Sequence, residues 1–83
     1  MPTVLRKDGF NFVIYTDDHE PMHTHVKKAG KEVVINLGDE KTKPDVRENK
    51  GMSKKNRRKA LIIAAEHQEL LIEKWREIHG KDD

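Results

Sequence analysis

His23-Thr24-His25-Val26-Lys27-Lys28-Ala29-Gly30-Lys31-Glu32-Val33-Val34-Ile35-Asn36 is the stretch that decides the fold. Two β-rich runs flank Ala29-Gly30, and runs of this kind around a glycine-containing two-residue loop read as a β-hairpin. The loop pairs Val26 with Val33, Thr24 with Ile35, His25 with Val34, Lys27 with Glu32 and His23 with Asn36. This register gathers Val26, Val33 and Ile35 on one face. It also sets Lys27 across from Glu32, a pairing worth roughly a few tenths of a kcal/mol. His23 and His25 then point away from the apolar trio, onto a face expected to be open.

Upstream, Val4–Lys7 and Phe10–Tyr15 flank Asp8-Gly9, a strong local signal for a type I′ turn. Leu5 falls opposite Phe12. Period-2 alternation puts Thr3, Leu5, Phe10, Phe12 and Ile14 on one face, and Val4, Arg6, Asn11, Val13 and Tyr15 on the other. Residues 38–52 are charged and broken by Pro44 and Gly51, which reads as a loop with a short edge strand at Asp45–Glu48. Ser53 is a good N-cap, and 54–79 carry helix formers up to Gly80, so one helix is expected over 53–79. Its apolar stripe comprises Ala60, Leu61, Ala64, Leu71, Ile72, Trp75 and Ile78; Ile62, Ile63 and Leu70 form a weaker strip suited to another chain, such as a homodimer partner.

The expectation is a single α+β domain over 1–83. Two β-hairpins occupy 1–37 and supply an antiparallel sheet of three to five strands, packed against one long C-terminal helix. A chain of 83 residues buries about 60–65% of its unfolded surface. Only 34% of residues are hydrophobic against 39% charged, so the core is thin. With no cysteine, disulfides, thiolate nucleophiles and thiolate-ligated zinc are excluded, and any metal must be held by His, Asp or Glu. No run approaches the ~18 apolar residues of a membrane span, so a cytoplasmic protein without membrane contact is expected.

The chemically loaded segment is Asp17-Asp18-His19-Glu20-Pro21-Met22-His23-Thr24-His25. Imidazole exchanges protons near neutral pH and, when neutral, is the commonest metal ligand. His23 and His25 on a strand share a face with Cα atoms roughly 7 Å apart. His19, in the preceding turn beside Asp17, Asp18 and Glu20, completes a three-histidine set. Three readings stay open. One is a divalent-metal site, zinc for example, drawn from His19, His23, His25, Asp17 and Asp18. Another is metal-free acid/base catalysis by His19, His23 and His25 on a phosphodiester. The third is structural, with the histidines capping backbone groups. Net charge is only +2, but Lys54, Lys55, Arg57 and Arg58 crowd the first turns of the helix, where they would guide RNA or DNA phosphates. Trp75 reads as a core anchor.

These residues also carry a family resemblance. Met1-Pro2-Thr3-Val4, then Asp18-His19-Glu20-Pro21-Met22-His23-Thr24-His25-Val26, then Gly51-Met52-Ser53 before a helix containing Trp75 resemble the small bacterial and phage family known as domain of unknown function 4160. In that family the central segment reads Asp-His-x-Pro-Pro-His-x-His-Val; Met22 replaces its second proline and leaves the histidines in register. The resemblance implies a component of a toxin–antitoxin-type gene pair, with a cognate protein from a neighbouring gene and a nucleic acid as partners. It implies no catalytic residue.

Overall fold

The computed structural model describes residues 3–80. Both short loops turn the chain as their residues require. Asp8 and Gly9 take φ of 54° and 83°, and Ala29 and Gly30 take 51° and 79°, the paired positive values of a type I′ turn. They join β1 (Thr3–Lys7) to β2 (Phe10–Val13) and β3 (His23–Lys28) to β4 (Lys31–Asn36). The register of the second hairpin is the expected one at all five pairs, and Leu5 lies opposite Phe12. A fifth strand, β5 (Asp45–Lys50), pairs with β4, two residues longer than the edge strand expected there. The result is a five-stranded antiparallel meander in the order β1-β2-β3-β4-β5.

The expected apolar face is the core from Leu5 onward, but a bulge between Thr3 and Leu5 sets Thr3 opposite Val13, leaves Thr3 exposed and packs Val4 against the core. Phe10, Phe12, Ile14, Val26, Val33 and Ile35 are fully buried against Met52, Ala60, Ala64, Leu71 and Trp75. Thr24 lies within this layer, where its hydroxyl donates to the Val13 carbonyl at 3.1 Å and so leaves no buried donor unpaired.

The single long helix is corrected to two, α1 (Lys54–Glu66) and α2 (Gln68–His79). Ser53 caps α1 as expected, accepting from the Asn56 amide at 3.2 Å. The break is at His67, whose backbone leaves the helical region at φ −116°, ψ 26°. Two causes meet there, one local and one tertiary. The His67 ring donates through Nδ1 to the Ile63 carbonyl at 3.0 Å, sharing that acceptor with its own amide. The Gln68 side-chain amide lies 2.8–3.0 Å from the carbonyls of Leu37, Asp39 and Thr42, tying the start of α2 to the loop after β4. With the helix broken, each half sets its own buried face. Ile63, expected on the weaker outer strip, is in the core, Leu70 is half-buried, and Ile62 is the one large apolar side chain exposed among the described residues.

Gly38 starts that loop at φ 70°, and a Cβ there would lie 2.3 Å from the Thr42 carbonyl oxygen, a backbone atom that cannot step aside. Gly38→Ala is therefore expected to cost about 2 kcal/mol or more through left-handed strain and the clash together. Urea unfolding followed by circular dichroism measures it; a loss below ~0.5 kcal/mol would mean that the loop re-forms without strain.

Candidate metal centre

Alternation along β3 sends His23 and His25 to the face opposite the core, with their rings 5.3 Å apart. That face is not open, which corrects the expectation. His23 is only 6% exposed, and Val13 and Val34, the neighbours of His25 in the adjacent strands, are buried. Tyr15 stands edge-on to His25 with ring centres 4.8 Å apart, and Trp75 of α2 lies 5.3 Å from His23. β2 stops at Val13 rather than Tyr15, and the chain then turns back. The Tyr15 amide donates to Asp18 Oδ2 at 3.0 Å and the Asp18 amide to the Tyr15 carbonyl at 3.2 Å, a reciprocal lock of the Asx-turn kind. This lock carries the Asp18 carboxylate to the two imidazoles.

The contacts fix which ring nitrogens carry protons. His23 Nδ1 is 2.8 Å from the Pro21 carbonyl, and His25 Nδ1 is 2.8 Å from Glu32 Oε2. A carbonyl and a carboxylate can only accept, so both Nδ1 atoms are protonated. The other nitrogen of each ring turns to the same atom: Asp18 Oδ1 lies 3.5 Å from His23 Nε2 and 3.3 Å from His25 Nε2, where a protonated Nε2 donates to the carboxylate and an unprotonated one offers its lone pair to a cation. One ligand atom from each of the three residues lies within 4.8 Å of the other two. Three convergent lone-pair donors repel one another unless a cation sits among them, either a proton or a metal ion.

Burial alone raises the Asp18 carboxyl, but the Tyr15 amide, the hydrogen bond from His25 and the nearby charge of both histidines outweigh it. The carboxyl is held below its ordinary value and stays ionised near neutrality. Lys27 faces Glu32 as expected, yet its ammonium donates to the Tyr15 hydroxyl at 2.5 Å, and this bond raises its pKa. Glu32 is instead committed to His25.

Around the trio is a shallow depression of about 290 Å³, lined also by Asp17, His19, Val34, Arg47, Glu48 and Lys50. Of the residues singled out in the sequence, Asp18, His23 and His25 converge. His19 and Asp17 are exposed at the rim and outside the converging group, and Lys54, Lys55, Arg57 and Arg58 do not line the depression. A larger groove, about 1150 Å³, runs between α2 and residues 39–41, but Asp39, Glu40, Glu69, Glu73 and Glu77 dominate its wall and it holds no histidine. The sequence reading missed Glu32 and Arg47. Glu32 had a signal: in the expected register it is the diagonal neighbour of His25, within reach of a long side chain.

No curated protein and no solved structure matches the chain. A family model does match, over residues 9–76, a span that takes in Asp18, His23, His25, Glu32 and Trp75. The chain belongs to the family described as Domain of unknown function (DUF4160).

Proposed function

We propose that this chain is a divalent-metal protein in which Asp18, His23 and His25 hold the ion and leave at least one position open for water or a phosphate oxygen. The carrying observation is the convergence of two Nε2 atoms and a carboxylate oxygen, with both Nδ1 atoms already directed to other acceptors. Bonds of about 2.0–2.1 Å to a tetrahedral ion put ligand atoms about 3.3 Å apart, close to the 3.3 and 3.5 Å from Asp18 Oδ1 to the two imidazoles, and the trio as a whole, within 4.8 Å, would draw in around the ion. Two imidazoles, one carboxylate and no thiolate suit zinc, with Glu32 and the Pro21 carbonyl orienting the rings from behind.

Such an ion acidifies bound water and polarises a phosphate oxygen. The reading extends to binding or cleavage of a nucleic acid: Asp18, His23 and His25 would hold the ion, bound water would reach phosphorus after giving its proton to solvent, and His19 on the rim would protonate the departing oxygen. Lys54, Lys55, Arg57 and Arg58 would steer the polyanion from α1. We place the chain, on the resemblance alone, among toxin–antitoxin-type components of the cytoplasm that act with a cognate protein partner. One observation favours a second reading: His25 lies between Asp18 and Glu32, which also suits a metal-free imidazolium that braces a protein-interaction module.

A zinc titration of metal-free protein, followed through histidine nitrogen resonances, separates the two. One ion per chain is expected, moving Nε2 of both His23 and His25; no stoichiometric ion would leave the second reading. Glu32→Ala should weaken zinc binding about 10–100-fold without abolishing it, as loss of an orienting partner does. Unchanged affinity would remove Glu32 from the site.

A further inference from the structure

We infer that Arg47 and Lys50 form the anion-binding arm of this site, and that its ligand is a phosphate group seated against the ion. The inference rests on the metal reading above. Along a regular strand, consecutive side chains face opposite sides. Arg47 and Glu48 nevertheless line the same depression. The register of β5 explains this: Glu48 pairs with Val34 and Val46 with Ile35, so Arg47 is the extra residue of a bulge. Bulges re-aim side chains in this way beside functional sites. Lys50, two residues beyond Glu48, returns to the same face and also lines the depression.

Charge identifies the ligand class. Among the described residues neither Arg47 nor Lys50 is within ion-pair distance of a carboxylate, although Asp17, Asp18 and Glu48 line the same depression. Without the ion, three carboxylates outnumber two cations and the depression repels anions. A divalent ion held by Asp18, His23 and His25 reverses that balance. What it then presents is an open metal position beside a guanidinium and an ammonium. A tetrahedral oxyanion matches this set: one oxygen on the ion, two on the planar guanidinium fork, and charge complemented by the lysine. The depression is shallow and open, so a phosphate projecting from a chain fits it as well as inorganic phosphate does.

The test is calorimetric titration of the zinc-loaded chain with inorganic phosphate, a short single-stranded oligoribonucleotide and the matching oligodeoxyribonucleotide. Arg47 is exposed on an edge strand, so Arg47→Ala should fold; its zinc affinity is measured alongside. Phosphate affinity is expected to fall at least about tenfold in Arg47→Ala and to recover partly in Arg47→Lys, which keeps the charge but loses the fork. Lys41→Ala, which removes one positive charge from a loop outside the depression, should leave it unchanged. Tighter binding of either oligonucleotide than of inorganic phosphate makes the ligand a nucleic acid; equal binding makes it a small phosphate; both support the arm. Phosphate affinity that survives Arg47→Ala combined with Lys50→Ala, or falls equally in Lys41→Ala, overturns the inference while the metal reading stands. Failure of zinc to bind overturns both.

Discussion

Trp75→Ala is expected to remove about 3–5 kcal/mol, the usual cost of truncating a buried tryptophan. An 83-residue domain has only about 4–12 kcal/mol in total, so the variant should be mostly unfolded at 37 °C or melt some 15–30 °C lower. The indole is 3% exposed and belongs to the core. It is also flanked by two imidazoles, with ring centres 5.3 Å from His23 and 4.0 Å from His79. Trp75 thus joins the core to the back of the histidine site. Trp75→Phe keeps most of the packing and should restore most of the stability, which separates lost volume from a lost ring contact. Circular dichroism melting is the measurement, since the variants lack the single tryptophan. A loss below about 1 kcal/mol would show that the helix does not depend on this anchor.

Zinc should stabilise the wild type strongly. Free zinc at 100 times the dissociation constant adds about 2.7 kcal/mol when the ion binds only the folded chain, which for a domain of this size is about 10–20 °C in melting temperature. A chelator should reverse the shift. His25→Ala and Asp18→Ala should each abolish nearly all of it, because two remaining ligands hold an ion far less tightly than three. An equal shift in the wild type and both variants would mean that zinc binds elsewhere, with His67, His79 and the carboxylates of α2 as the alternative donors. Asp18 is the more diagnostic position. It comes from the turn after β2 rather than from β3, so its effect reports on the turn that closes the site.

Both hairpins were legible because their turns announce themselves. Asp8-Gly9 and Ala29-Gly30 set where each strand ends, and alternation then places the side chains, except where a bulge between Thr3 and Leu5 shifts the register of the first hairpin. Pairing of His23 and His25 on one face followed directly. Their burial did not, because it comes from Trp75, fifty residues away, and from a turn whose shape depends on the Asp18 carboxylate. The helix break was likewise invisible: no glycine or proline marks His67-Gln68, and beside the bond of the His67 ring to the Ile63 carbonyl the cause is three loop carbonyls, those of Leu37, Asp39 and Thr42. Arg47 escaped notice because strand alternation holds only without a bulge, and a bulge in a charged edge strand leaves no mark on the pattern.

That bulge has a second consequence, for the behaviour of many copies rather than one. β5 is an outer strand of the sheet, with a row of backbone groups that another chain could pair with. A kinked, extra-residue strand bearing Asp45, Arg47, Glu48 and Lys50 is a poor template for a straight neighbour. The residue that turns Arg47 toward the histidines is therefore also a guard against strand-by-strand polymerisation. Deleting Arg47 would straighten this edge, so that loss of the site and a tendency to form fibres would arrive together.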